Sequence, residues 1–400
     1  AICYSELGIN LPSSGGEYVY LTRAFGPTWG FVAGWVSFFA GFSAPIAASA
    51  LAFSDYIGYF FAEAKQGNAW FRLGSGEWTL SFGWPQIIAS TLVALFSILN
   101  FFGVGRVARV QNLLTGFKVV VMAAFIVFGL AFGTGDWAHL SQSAVRTSTN
   151  PLTVQFALSL FWIYVAYSGW NAATYVAEEV RQPAKTLPIA LAFGTGLVAL
   201  LYLALNLVFF YAVPAEEMKG VTAVGALASS RLFGPGVAGL FAGLMAVSLM
   251  STVNAMVTIG PRVYYAMATN GAFLRGAAKV HPRWRTPVYA IAAQGICTIL
   301  LTATPFPQLV VYIGFTLNFF ACMSVLSLFR FRKREGWRKL RVVSFAWPLI
   351  PVVFLLIGGW LILVGVQFKP YISIAAIVTC LTGAAVYRSR YRKTTLEVAA

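Results

Sequence analysis

The chain has 400 residues, 59% of them hydrophobic and 10% charged, with a mean hydropathy of +0.75. Soluble globular proteins carry about 25% charged residues, so a water-soluble fold is excluded, as are disordered, fibrous and disulfide-scaffold classes. A membrane-spanning helix needs about 20 apolar residues, and a chain of this length holds roughly ten, which predicts an all-α protein embedded in a lipid bilayer.

Apolar runs predict helices near 29–62, 86–104, 111–133, 154–179, 187–213, 236–269, 287–304, 307–329, 345–366 and 370–387. The connectors between them carry the expected Pro, Gly and charges. Ahead of the first span, ICYSELG already leaves an apolar segment, so the N-terminus reads as shortened relative to a longer parent. Spans 29–62 and 236–269 are too long to stand upright and should tilt steeply or extend beyond the bilayer.

The net charge of +16 would suggest nucleic acid in a soluble protein, but in a membrane protein it reports cytoplasmic loops. With alternate connectors assigned to opposite sides, one side holds 21 of the 28 Lys and Arg residues, including Arg262 near the end of its span and the cluster from Arg330 to Arg341. The opposite side holds six: Lys65, Arg72, Arg146, Lys219, Arg231 and Lys369. The richer side is expected to be cytoplasmic, with both ends of this chain on it. No nucleic-acid partner is expected.

Cys3, Cys297, Cys322 and Cys380 are scattered, so neither a metal site nor a disulfide framework is legible, and no cysteine is placed to link an accessory subunit. His139 and His281 fall in connectors, which argues against haem or di-iron centres. No GxxxxGK[ST] signature occurs. The expectation is no cofactor, no metal and no catalytic residue.

Function in a membrane bundle concentrates where polar or helix-breaking residues interrupt the hydrocarbon. Span 154–179 contains Ala166-Tyr167-Ser168-Gly169-Trp170-Asn171 near its middle. Gly169 is a weak helix former, and Ser168 competes for backbone hydrogen bonds. One reading is a broken helix whose exposed amides and carbonyls face a cavity; the other is a small-residue packing face. Residues alone leave both open.

The span closes on Glu178 and Glu179, which oppose the helix dipole and call for cationic partners. They read either as a solvated interfacial pair or as a gate. Span 236–269 carries Ser248, Ser251, Thr252 and Asn254, and Gly260-Pro261 should kink it. Arg262 follows, and can snorkel or pair with a gate carboxylate. Asn318 lies mid-span in 307–329. Lys118 sits roughly 10 Å into span 111–133, where it either snorkels outward or points inward and needs partners. The acidic residues assigned to membrane depth are Asp55, Glu178 and Glu179, each at a span end.

Three stretches carry a resemblance: CYSELGINLPSSGGEYVYLTRAFGP, FWIYVAYSGWNAATYVAEEVRQPAKTLPIAL and STVNAMVTIGPRVYYAMATNGAF. They resemble the amino acid–polyamine–organocation superfamily, most closely its L-type amino acid transporter branch, along essentially the whole chain. The resemblance implies two inverted five-helix repeats plus two helices, with helix 1 and most of helix 2 missing here. Residues 1–133 would then be the remainder of the first repeat, 154–329 the second, 345–387 the two additional helices and 388–400 a cytoplasmic tail, all in one transmembrane domain. Span 154–179 becomes the broken sixth helix, and Lys118 falls on the fifth-helix lysine. The first broken helix, which would supply half the site, is absent from this sequence. Val165 stands where several relatives carry a bulky aromatic gate.

The resemblance implies secondary active transport of amino acids across the plasma membrane by alternating access. The substrates should be neutral and the process sodium-independent, driven by exchange or protons. Substrate binding is expected at Val165, Ala166, Tyr167, Ser168, Gly169 and Asn171. Lys118 would substitute for a coupling ion, and Glu178, Glu179 and Arg262 would gate. A non-transporting amino-acid sensor is the alternative. A membrane enzyme or proton-pump subunit would need buried acidic or histidine relays, and none is identified at span centres.

Overall fold

The computed structural model describes residues 1–13, 15–75 and 78–391, except for the side chains at 75, 78, 104–106 and 179. Residues 392–400 of the expected tail therefore lie outside the described residues. Two short helices come first, α1 (Ile2–Asn10) and α2 (Glu17–Phe25). A 31-residue span follows, made of α3 (Pro27–Val36), a π-helical segment (Ser37–Ser43) and α4 (Ala44–Ile57). This is the first overlong span, and its π segment is the kind of irregularity that often marks functional sites.

An antiparallel hairpin comes next, β1 (Ala69–Ser75) and β2 (Trp78–Gly83), pairing Phe71 with Phe82 and Leu73 with Leu80. Helices α5 (Trp84–Phe101) and α6 (Val104–Phe132) precede α7 (Leu152–Ala166) and the single turn α8 (Ala172–Tyr175). Beyond it run α9 (Pro183–Ala212), α10 (Val224–Phe233), the 35-residue α11 (Pro235–Thr269), α12 (Val288–Leu301) and α13 (Phe306–Phe331). The chain ends in α14 (Arg341–Phe345), α15 (Leu349–Phe368) and α16 (Pro370–Val386).

Eight described helices are long and apolar enough to cross a bilayer, and α7 and α12 are shorter apolar helices. Together they correspond to the ten predicted spans. The second overlong span is one helix that continues through Pro261. The hairpin, α10 and α14 lie in stretches read as plain connectors. Span counting detects only long apolar runs, whereas the hairpin is an aromatic-rich strand pair that satisfies its backbone internally.

Helix α11 is the axis of the bundle, packing against α4, α5, α6, α10 and α12. Helix α13 packs against α2, α4, α7 and α15. Mid-span Asn318 joins α13 to α15, donating from Nδ2 to the Gly358 carbonyl at 2.8 Å. Helix α1 is fixed by Glu6, which is fully buried. Its carboxylate accepts from Arg332 Nε at 2.7 Å and Nη2 at 2.6 Å, from Trp337 Nε1 at 2.9 Å and from the Leu340 amide at 3.0 Å. A buried carboxylate is tolerable when its oxygens are satisfied in this way.

Candidate functional site

Helix α7 stops at Ala166, and residues 167–171 form turns before α8 begins. Gly169 has φ +89°, the left-handed region that disfavours side chains. A Cβ built there meets nothing within 4 Å, so backbone conformation rather than space selects glycine. Among the described residues, the amides of Gly169, Trp170 and Asn171 donate to no backbone carbonyl. Consecutive free N–H groups at a break form an anion-seeking concavity.

A cavity of about 260 Å³ opens at this break. Ser168, Gly169 and Asn171 line one side, and Lys118 with Thr252 lines another. Lys118 points inward, its Nζ donating to Thr252 Oγ1 at 2.6 Å. The π segment contributes Ser37, Gly41 and Phe42. The remaining expected substrate residues are elsewhere. Val165 packs with Phe161 against Gly314. The Ala166 carbonyl accepts from Tyr202 Oη at 2.8 Å, and the Tyr167 ring meets that of Tyr202 edge-on at 4.9 Å. Ala166 and Tyr167 line a separate cavity of about 360 Å³ against α9, which Ser168 and Gly169 also touch. The break thus has two open faces.

Glu17 is a buried acid that the sequence reading, which singled out Asp55, Glu178 and Glu179, did not place at the site. It is 7% exposed and lines the main cavity. Its Oε1 accepts from Tyr4 Oη at 2.9 Å and from Asn171 Nδ2 at 2.7 Å, and its Oε2 accepts from Tyr175 Oη. Hydropathy averaging missed it because it opens a short amphipathic helix outside every predicted span. The signal was present in Gly15-Gly16. At Gly16 φ is +51°, and an added Cβ would collide with the Tyr175 ring at 2.3 Å. Only glycine lets the two segments meet there.

Asp55 is terminal as expected, accepting from the Gln66 amide at 2.9 Å and from Gln66 Nε2 at 2.6 Å. Glu178 is exposed and accepts from Ser13 Oγ at 2.9 Å. The side chain of Glu179 lies outside the described residues. Arg262 Nη1 donates to the Thr258 carbonyl at 2.9 Å, and with Asn100 and Arg285 it lines a third cavity of about 410 Å³.

The amino acid permease family model matches residues 1–386. Human b(0,+)-type amino acid transporter 1 is 29% identical over 383 residues, covering 92% of this chain and 73% of its own. Mouse large neutral amino acids transporter small subunit 2 is 28% identical over 393 residues, covering 97% and 70%. These relatives are transporters rather than enzymes, and they match both the superfamily and the branch that the sequence motifs resemble. The chain, an integral membrane protein by its spans and its match over nearly every residue, belongs to the amino acid permease family.

Proposed function

We propose that this chain is most of a secondary transporter that moves neutral amino acids across the plasma membrane by alternating access. The observation that carries this reading is the cavity at the break in α7–α8, lined on one side by residues whose amides, among the described residues, donate to no backbone carbonyl, and on the other by an inward ammonium. A zwitterion's carboxylate suits the amides of Gly169, Trp170 and Asn171, with Ser168 beside them, while its side chain faces α3–α4, α11 and α13. Broken helices supply such groups in many transporters. Val165, Ala166 and Tyr167 act from behind this surface, by holding the break in place.

Glu17 supports a neutral substrate, because its oxygens already accept from Tyr4, Asn171 and Tyr175. A substrate cation would have to compete with these donors for the carboxylate. Lys118 takes the place of a coupling cation, so the transport is sodium-independent and driven by exchange or protons. The Lys- and Arg-rich connectors lie in the cytoplasm, where Glu178, Glu179 and Arg262 form the gate. Residues 1–133 and 154–329 belong to the two inverted repeats, and 345–387 are the added pair of helices.

The test is uptake of labelled leucine or alanine into liposomes holding the full-length protein, with and without internal amino acid. Uptake that exceeds empty liposomes and rises with internal substrate supports exchange. Binding without net flux would make the protein a sensor instead.

A further inference from the structure

The third cavity, of about 410 Å³, lies among α5, α11, α12 and the connector 270–287. Two guanidiniums line it, Arg262 from α11 and Arg285 from the connector, together with Asn100, Thr258 and Thr286. The sequence has no Asp or Glu from Trp78 to Gly135 or from Lys219 to Arg334. Every element that lines the cavity falls within those two stretches, so they supply it with positive charge and no carboxylate.

Arg285 reaches the cavity from a corner that leaves it little freedom. The His281 amide donates to the Thr286 carbonyl at 2.9 Å, and the Arg285 amide donates to the His281 carbonyl at 2.8 Å. His281 Nδ1 accepts from the amides of Arg283 and Trp284, each at 3.3 Å. The His281 ring stacks on Trp284 with centroids 4.1 Å apart, and Trp284 meets Phe102 edge-on at 4.9 Å. Thr286 Oγ1 donates to the Phe101 carbonyl at 2.8 Å, which ties the corner to the end of α5. Arg285 has φ +53°, a left-handed conformation uncommon for any residue with a side chain. Such a conformation persists only where the surroundings fix it, and it clusters at ligand-holding sites.

The depth of the cavity is informative too. Asn100 stands in the last turn of α5 and Ile291 in the first turn of α12, so the cavity opens at the ends of spans, on the side rich in Lys and Arg. Basic pockets between spans at that depth take phospholipid headgroups. Pro261, Val280, Pro287 and Ile291 add apolar walls beside the guanidiniums, and Val280 is 42% exposed at the rim. A free anion has no use for those walls, whereas the glycerol and upper acyl carbons of a lipid do.

We infer that this cavity binds a phosphate-bearing anion, the headgroup of an anionic phospholipid, with Arg285 and Arg262 as its cationic partners. The planar fork of an arginine matches two phosphate oxygens at once. The site is independent of which solute the protein carries.

The experiment is the melting temperature of the full-length protein in detergent with added phosphatidylglycerol, phosphatidylcholine of the same acyl chains, or inorganic phosphate. A ligand that binds only the folded state raises the melting temperature. Phosphatidylglycerol should raise that of the wild type above its value in phosphatidylcholine, and inorganic phosphate should not reproduce the rise. Arg285→Gln should lose most of it. Arg283→Gln removes the same charge from an exposed position outside the cavity and should keep it. That comparison separates the cavity from the general attraction of anionic lipid to a chain of net charge +16. Val280→Trp fills the rim without changing the charge and should also lose the rise, and it replaces Arg285→Gln if that variant fails to fold. A rise with inorganic phosphate alone that disappears in Arg285→Gln would keep the anion site and assign it to free phosphate. A wild type indifferent to both anions, a rise that survives in the cavity variants, or an equal loss in Arg283→Gln would overturn the inference.

Discussion

Asn171 Nδ2 donates to Glu17 Oε1 at 2.7 Å, across 154 residues of sequence. This bond ties the break in the α7–α8 span to the start of α2. Tyr175, one turn further on, binds the other oxygen of the same carboxylate. Any movement of the broken helix away from α2 must therefore exchange the partners of a buried charge.

Glu17→Gln should insert normally yet lower leucine uptake by at least about tenfold. The amide presents an NH₂ to hydroxyl and amide donors that need an acceptor, and each buried mismatch costs about 1–3 kcal/mol. Tyr175→Phe removes one donor and should do less. Uptake alongside melting temperature separates the two effects, and full activity in Glu17→Gln would free the carboxylate of any role in closure.

Gly169→Leu and Gly169→Ala should impair uptake to a similar degree while leaving membrane insertion intact. The φ of +89° costs any side chain roughly 1–2 kcal/mol, and the open space around the Cβ makes size secondary. Normal kinetics in both variants would restore the reading of Gly169 as a packing residue.

The architecture was legible wherever a physical signal was long. Twenty apolar residues in a row define a span, so the main helices emerged from the sequence. The break was legible because glycine, serine and asparagine interrupt aromatic and aliphatic neighbours. The cavity wall was harder to see. Ser168, Gly169, Asn171 and Lys118 face it, but Val165, Ala166 and Tyr167 turn to other neighbours, because successive residues in a tight turn point different ways. Glu17 escaped notice because its burial arises from tertiary contact with Tyr4 and Tyr175, which no window of sequence contains. Ser251 and Asn254 were noticed as polar, but their hydrogen-bond partners Gln111 and Asn100 lie on other helices.

Cysteines introduced at Lys65 or Lys219 should react with impermeant reagents on intact cells, and those at Lys333 or Lys279 should not. Replacing Lys219 removes its 2.7 Å pair with Glu216, an exposed contact that contributes little to stability. The reverse labelling pattern would invert the assigned orientation.

Leucine uptake should be inhibited by neutral amino acids and left unaffected by putrescine. The Glu17 carboxylate already accepts three hydrogen bonds, so a second ammonium would have to compete with Tyr4, Asn171 and Tyr175 for it. Inhibition by putrescine but not by neutral amino acids would reassign the substrate class.

Lys118 carries the central claim, since its ammonium reaches the cavity and donates to Thr252, and the proposed sodium independence rests on it. The decisive measurement is leucine uptake by full-length wild type and Lys118→Ala in liposomes, in sodium and with choline in its place. The account predicts equal wild-type uptake in both media and a fall of Lys118→Ala toward the empty-liposome background. A wild type that requires sodium, or an alanine variant that transports normally, would contradict it.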